Sequence, residues 1–327
     1  MNTHPKHKAP ADIAGVIEAL SDIHVETQRE EDLRAAFDRL FVWDETAVKP
    51  RYFTKGLETR GLAVVGDPGS GKTELISHFL ENHERFHLGS DLEEAGCLHV
   101  TVPSPATLKS VGLEILKALG YSKMSERRER WAIWEMVKHR LSLLGVRVLW
   151  IDEAHDLYAS GSAREQEDLL KTLKSLMQGE HAVVVVLSGT KPVAELLKTD
   201  GQVGRRFGKI HLPPVTVASD GEAVEGLLHA FCDRAGLDAQ VDSDLIHCLI
   251  AAAQSQFGLV IEISIGAIEM ALYDRSAKLS RQSFVDYWGM QEGCAIEDNV
   301  FWSNRFGEFQ EVTTTAASNA TKRRGRK

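Results

Sequence analysis

The sequence predicts an α/β protein in which a parallel sheet flanked by helices is followed by a small all-α unit. Three observations carry this prediction. Short apolar, β-branched runs alternate with amphipathic stretches from about residue 60 to residue 190, as in strand–helix–strand crossovers. Between the first such strand and its helix lies Gly66-Asp67-Pro68-Gly69-Ser70-Gly71-Lys72-Thr73, a glycine-rich phosphate loop (P-loop) in its required context. After Pro213-Pro214 the strand pattern stops and only helical spacing continues.

Thr27-Gln28-Arg29-Glu30 has capping-box spacing, and Leu33, Phe37 and Leu40 recur at helical intervals. Together they predict a helix over about 28–41 within an N-terminal helical segment, 1–50. Residues 62–65 form the first strand, and Leu75, Ile76, Phe79 and Leu80 line the inner face of the helix behind the glycine loop. The second strand is 98–102. Leu108, Val111, Ile115 and Leu119 stripe the next helix, which Gly120 stops. Trp134, Val137, Leu141 and Leu144 mark another helix, ended by Gly145. The strand 146–151 follows, then a helix with Leu169, Leu170, Leu173, Leu176 and Met177 inward, the strand 183–187 and a short strand 209–212. These elements make a core over 51–215. A second capping box, Ser219-Asp220-Gly221-Glu222, opens a helical unit over about 216–295. There Leu227 and Phe231, Ile246 and Leu249, and Ile261, Ile265, Ile268 and Leu272 share helical spacing. The tail, 296–327, is expected to be disordered from about 310.

The length of 327 residues accommodates two domains at roughly 150 residues each. Hydrophobic residues at 43% and charged ones at 26% exclude collagenous, mucin-like and membrane-embedded classes. The longest apolar runs, 182–187 and 248–253, fall far short of the roughly 20 residues a membrane span needs. Residues 1–10 are polar, without the apolar stretch of a secretory leader, so a cytoplasmic location is expected. Cys97, Cys232, Cys248 and Cys294 are scattered with no Cys-x-x-Cys pair and read as reduced core thiols. A net charge of −9 argues against nucleic acid binding over the whole surface. Lys322, Arg323, Arg324, Arg326 and Lys327, however, concentrate positive charge at the end of the chain. Such a tail either contacts phosphates locally or is a solvated terminus.

The chemistry of the glycine loop explains its residue types. Glycines let successive backbone N–H groups close around a β-phosphate at a helix N-terminus, where unpaired donors and the helix dipole favour an anion. Lys72 bridges β- and γ-phosphate oxygens and the Thr73 hydroxyl ligates Mg²⁺, so ATP and Mg²⁺ are the expected cofactors. A buried strand, Val148-Leu149-Trp150-Ile151-Asp152-Glu153, delivers Asp152 beside the loop to hold the metal through its water shell. Glu153 then polarises the attacking water as general base. Ser188-Gly189-Thr190 puts a hydroxyl at the end of a third strand. Thr190 is preferred over Ser188 as the γ-phosphate or water sensor, against the competing role of helix cap. Arg205-Arg206-Phe207 offers an arginine finger to a neighbouring subunit's γ-phosphate, with Arg205 chosen as the finger and Arg206 as its support. DNA contacts are expected from Lys109 and Lys171 or Lys174, which lie on helices off the apolar stripes.

With these motifs in place the chain resembles an AAA+ ATPase, and more narrowly the TniB/TnsC group of transposition ATPases, relatives of MuB. The stretches that carry the resemblance include His24-Val25-Glu26-Thr27, the glycine loop, and Val102-Pro103-Ser104-Pro105-Ala106-Thr107 leading to Leu116 and Leu119-Gly120. The others are 148–155, Leu187-Ser188-Gly189-Thr190 and Arg205-Arg206-Phe207. The resemblance covers about 20–290. It implies a five-stranded parallel core with a helical lid, and homo-oligomers, as rings or helical filaments, on double-stranded DNA with ATP. It further implies target-site delivery to a DDE-type transposase, a TniQ-like target-selection partner, and hydrolysis that disassembles the filament. The chain departs from the pattern at Phe257-Gly258-Leu259-Val260-Ile261-Glu262, which offers a glutamate where many AAA+ lids present an arginine, so no lid sensor is assigned. Two other functions compete. Asp152-Glu153-Ala154-His155 spells the box of one helicase superfamily, but the second nucleotide-binding core such enzymes need has no counterpart after 216. A STAND-type signalling or defence ATPase would share the core without acting on DNA, and DNA would then leave its turnover and assembly unchanged.

Overall fold

The structure, a computed structural model, describes residues 10–24, 27–44, 48–55, 57–86, 88, 96–121, 128–160 and 162–302. The chain divides into two compact units, Glu26–Pro213 and Met1–Val25 with Pro214–Lys327. The second unit supplies the first helix, α1 (Pro10–Ser21).

The larger unit runs α2 (Gln28–Asp38), β1 (Phe41–Trp43), β2 (Val48–Pro50), β3 (Gly61–Val65), α3 (Lys72–Glu81), β4 (Cys97–Thr101), α4 (Leu108–Ala118) and α5 (Arg130–Leu143). It continues with β5 (Val148–Asp152), α6 (Asp156–Ser160), α7 (Ala163–Leu176), β6 (Val184–Gly189), α8 (Lys191–Thr199), α9 (Gly201–Gly204) and β7 (Phe207–His211). Five strands form one sheet in the order β4-β5-β6-β3-β7, every neighbouring pair parallel. Alternate side chains leave by opposite faces. Ala63, Val65, Val100, Leu149, Ile151 and Leu187 pack with α4, α5, α7 and α8, whereas Leu62, Val64, Val148, Trp150 and Val186 pack with α2, α3 and the β1–β2 hairpin. Because both faces are covered, the strands read in sequence as continuous apolar runs. The carboxyl ends of β3, β5 and β6 therefore emerge at one edge of the sheet, where such folds bind ligands.

The helical unit continues with α10 (Val217–Ala235), β8 (Asp238–Ala239), α11 (Ser243–Ala252), α12 (Phe257–Tyr273), β9 (Lys278–Leu279) and α13 (Arg281–Glu292). Its core gathers Val224, Phe231, Leu249, Ile268 and Phe284. The two-residue parallel pair β8–β9 is too short to leave a sequence signal.

Several expectations are corrected. The helix expected over 28–41 ends at Asp38, and Phe41 opens a hairpin in register with Pro50. Phe41 keeps the apolar spacing because it joins the same aromatic cluster as Phe37, with ring centroids 5.0 Å apart. Thr27 stands at the N-cap without a side-chain cap bond, and Glu30 instead approaches Arg34 at 3.5 Å and His78 at 3.8 Å. The segment expected as one piece over 1–50 is split, because α1 buries Leu20 and packs Val16 and Ile17 into the helical unit. The helix expected to start at Ser219 begins at Val217 with Thr216 as its cap, and Ser219 occupies its third position. Cys97, Cys232 and Cys248 are buried and free, and Cys294 is free and half-buried. Burial pushes the Cys97 thiol up to about 12 and that of Cys232 to about 11. Among the described residues, no single helix is long and apolar enough to cross a membrane. The basic end, 322–327, lies outside the described residues.

Candidate functional site

The loop between β3 and α3 closes on itself. Gly71 caps α3 at φ +82°, a conformation that side-chain-bearing residues disfavour, and a Cβ on Gly66 would lie 2.5 Å from Ser70 Oγ. The first turn of α3 thus presents N–H groups without helical acceptors to the space above the sheet edge. Lys72 is only 6% exposed, and its Nζ donates to Gly66 O at 3.0 Å, Asp67 O at 2.9 Å and Ser70 Oγ at 3.4 Å. Burial lowers its pKa below the ordinary lysine value, against the opposing pull of Glu153, Asp152 and Asp67.

Asp152, 3% exposed at the end of β5, follows Trp150 by two residues and so shares its face, the face covered by α3. There Thr73 Oγ1 donates to Asp152 Oδ2 at 2.8 Å. The other oxygen, Oδ1, accepts from Glu153 N at 2.9 Å and Ser188 Oγ at 2.5 Å. A hydroxyl beside a carboxylate is the hard oxygen set that suits Mg²⁺, so the residues present fit that ion. Glu153 has φ +55°, a left-handed conformation that costs a non-glycine residue about 1–2 kcal/mol. Backbone bonds on both sides hold it there, Val102 N to Asp152 O at 3.0 Å and Ala154 N to Ser188 O at 2.9 Å. Its carboxylate is half-exposed, with Oε2 3.0 Å from His155 Nδ1.

Thr190 occupies the N-cap position of α8 without a side-chain cap bond and is half-buried. The two arginines lie elsewhere. Phe207 pairs with Gly61, so Arg205 and Arg206 sit at the amino end of the sheet. Five strand residues, roughly 16 Å at about 3.3 Å each, separate that level from Gly66. Arg205 is exposed; Arg206 is 4% exposed, with Nη2 2.5 Å from Glu58 Oε1. Of the three lysines, Lys171 pairs with Glu167 at 2.6 Å, Lys174 donates to Gln202 at 2.6 Å, and Lys109 is half-buried at the start of α4. Glu262 is exposed on α12. The structure therefore brings Lys72, Thr73, Asp152 and Glu153 together and leaves the two arginines at the opposite end of the sheet.

Two contributors carry no sequence motif. Arg29 at the start of α2 donates to Pro213 O at 2.7 Å and Ser70 O at 3.4 Å, tying the glycine loop to the segment after β7. Trp150, spaced two residues before Asp152, bonds to Ser188. Only the period-two spacing in β5 hints at this second partnership.

The two arginines should separate in a stability measurement. A hydrogen bond from Gln178 and the charge of Arg206 hold the Glu58 carboxyl below its ordinary value. Its stabilising effect is therefore complete above the ordinary carboxylate range and lost as pH falls through the lowered value. Glu58→Ala leaves the buried Arg206 guanidinium without its carboxylate, and because Glu58 itself lies near the surface, urea denaturation at neutral pH should register a loss of about 1–3 kcal/mol. Arg205→Ala should change stability by no more than about 0.5 kcal/mol. Equal losses would contradict the assignment of Arg206 as the structural member of the pair.

The family model described as Bacterial TniB protein matches residues 52–216, half of the chain. Among solved structures, the Aeropyrum pernix ORC1 protein in complex with DNA is 18% identical with a TM-score of 0.60, over 85% of this chain and 69% of that one. The A. pernix ORC2 protein in ADPNP-ADP complexes is 14% identical with a TM-score of 0.52, over 88% and 69%. Drosophila ORC bound to DNA is 13% identical with a TM-score of 0.54, over 90% and 70%. At such identities the likeness is one of fold. No curated protein matches the chain.

Proposed function

Since the chain belongs to the bacterial TniB family and is an ATPase of the AAA+ fold, we propose that it is an ATP-dependent regulator of DNA transposition. In this proposal it assembles on double-stranded target DNA with ATP, recruits or activates a DDE-type transposase, and leaves the DNA on hydrolysis. The observation that carries the nucleotide chemistry is the 2.8 Å contact between Thr73 and Asp152, with Glu153 next in sequence. Family membership supports the transposition context. The DNA named for the A. pernix ORC1 and Drosophila ORC structures supports DNA as the polymer.

Residues Gly66 to Thr73 bind the ATP phosphates, Lys72 supplying the positive charge. Mg²⁺, held by Thr73 and Asp152, would neutralise charge on the phosphate oxygens. Glu153 orients and deprotonates the attacking water, and Thr190, its hydroxyl unused as a cap, senses the γ-phosphate. Arg205 is exposed and too far along the sheet from its own loop, which supports a role at a neighbour's nucleotide in a ring or filament. The helical unit serves as lid, Lys109 as a DNA contact, and a TniQ-like protein as the target-selection partner. Lys171 and Lys174 would have to give up their present partners to touch DNA.

Two experiments test this reading. Duplex DNA should raise the ATPase rate and promote assembly; an unaffected rate and assembly state would favour a nucleotide switch that does not act on DNA. Arg205→Ala should keep ATP binding while hydrolysis falls, by about 10³-fold if the arginine is a full finger. Mixing it with Lys72→Ala should restore activity, because a mixed interface pairs an intact loop with an intact arginine. A mixture as inactive as its components would refute the shared site.

A further inference from the structure

We propose that Trp150 and Ser188 are positioning residues that orient Asp152 through a buried hydrogen-bond relay, and so set how tightly the site takes its divalent cation. The proposal rests on the reading of 66–73 and 152–153 as a Mg²⁺·ATP site. Trp150 Nε1 lies 2.6 Å from Ser188 Oγ, which lies 2.5 Å from Asp152 Oδ1. An indole N–H can only donate, so the serine oxygen accepts there, and its single proton is left to point at Asp152. The register explains why these groups meet. Ile151 pairs with Leu187, placing Asp152 level with Ser188 on the face that also carries Trp150. The indole is held in turn. It is fully buried, and His99, paired with it in β4, stacks on it at 3.8 Å and 20°.

Ser188 is fully buried, and both its neighbours are protein groups, so its hydroxyl is committed to the carboxylate and not to a ligand. With Ser188 and the Glu153 N–H on Oδ1, the carboxylate is fixed in rotation and Oδ2 faces Thr73. Removing the hydroxyl leaves Oδ1 with one donor and strands a buried indole N–H. Outer partners of metal-holding carboxylates typically change metal affinity by 10–100-fold.

The test is binding of a fluorescent ATP analogue, first in EDTA and then along a Mg²⁺ titration, so that turnover is not the readout. Ser188→Ala and Trp150→Phe should bind the analogue in EDTA within about twofold of wild type. Each should need about tenfold more Mg²⁺ for half of the Mg²⁺-dependent gain. The double variant should need no more than the weaker single variant, because both act through one chain. Trp150→Phe keeps the stacked ring and most of the volume, so it decides the matter if Ser188→Ala fails to fold. Asp152→Asn separates the two levels of the claim. A shift in Asp152→Asn with wild-type Mg²⁺ dependence in both relay variants would overturn the relay alone. No shift in Asp152→Asn would overturn the metal-site reading and the relay with it.

Discussion

The Lys72→Ala protein should bind ATP about a hundredfold more weakly than wild type and lose every nucleotide-dependent property with it. Lys72 is buried at the helix start with its three donors on loop oxygens, and the nearby charges that act on it are the carboxylates of Glu153, Asp152 and Asp67. Truncation leaves those carboxylates uncompensated beside the position of a polyphosphate. Two charge-assisted hydrogen bonds at about 1.5 kcal/mol each amount to about 3 kcal/mol, or roughly two orders of magnitude in affinity. Wild-type affinity for a fluorescent ATP analogue in this variant would remove the glycine loop from the nucleotide site.

Glu153→Gln should separate binding from turnover. The amide keeps the shape of the side chain, and the backbone bonds that hold the left-handed residue between β5 and β6 are unchanged. In the proposed function the substitution removes the general base, so hydrolysis should fall by about 10²–10⁴-fold while ATP affinity stays within a few fold. Single-turnover hydrolysis and equilibrium binding measure the two quantities separately. Fast turnover would move the base to another residue.

Much of this architecture is legible in the sequence because it is local. A strand of four or five apolar residues ending in a glycine loop, or in Asp152-Glu153, declares both its burial and its chemistry within ten positions. What escapes depends on distant partners. Phe41 continues the apolar spacing of α2 whether it extends the helix or turns into a hairpin, since either route reaches Phe37. Leu20 finds its partners almost two hundred residues later, in the helical unit. Arg205 and Arg206 are chemically alike, and only the pairing of Arg206 with Glu58, 148 positions away, makes one structural and leaves the other exposed. Ser188 and Thr190 are both hydroxyls at a strand end. The two-residue period of β6 turns Ser188 toward Asp152, a fact that needs the register between strands.

The most direct test of ATP-dependent action on DNA is electron microscopy of the Glu153→Gln protein with ATP, with and without duplex DNA. The proposed function predicts ordered multimers on duplex DNA with ATP that are absent with ADP and absent in Lys72→Ala. A Glu153→Gln protein that binds ATP yet stays monomeric and off the DNA would contradict it.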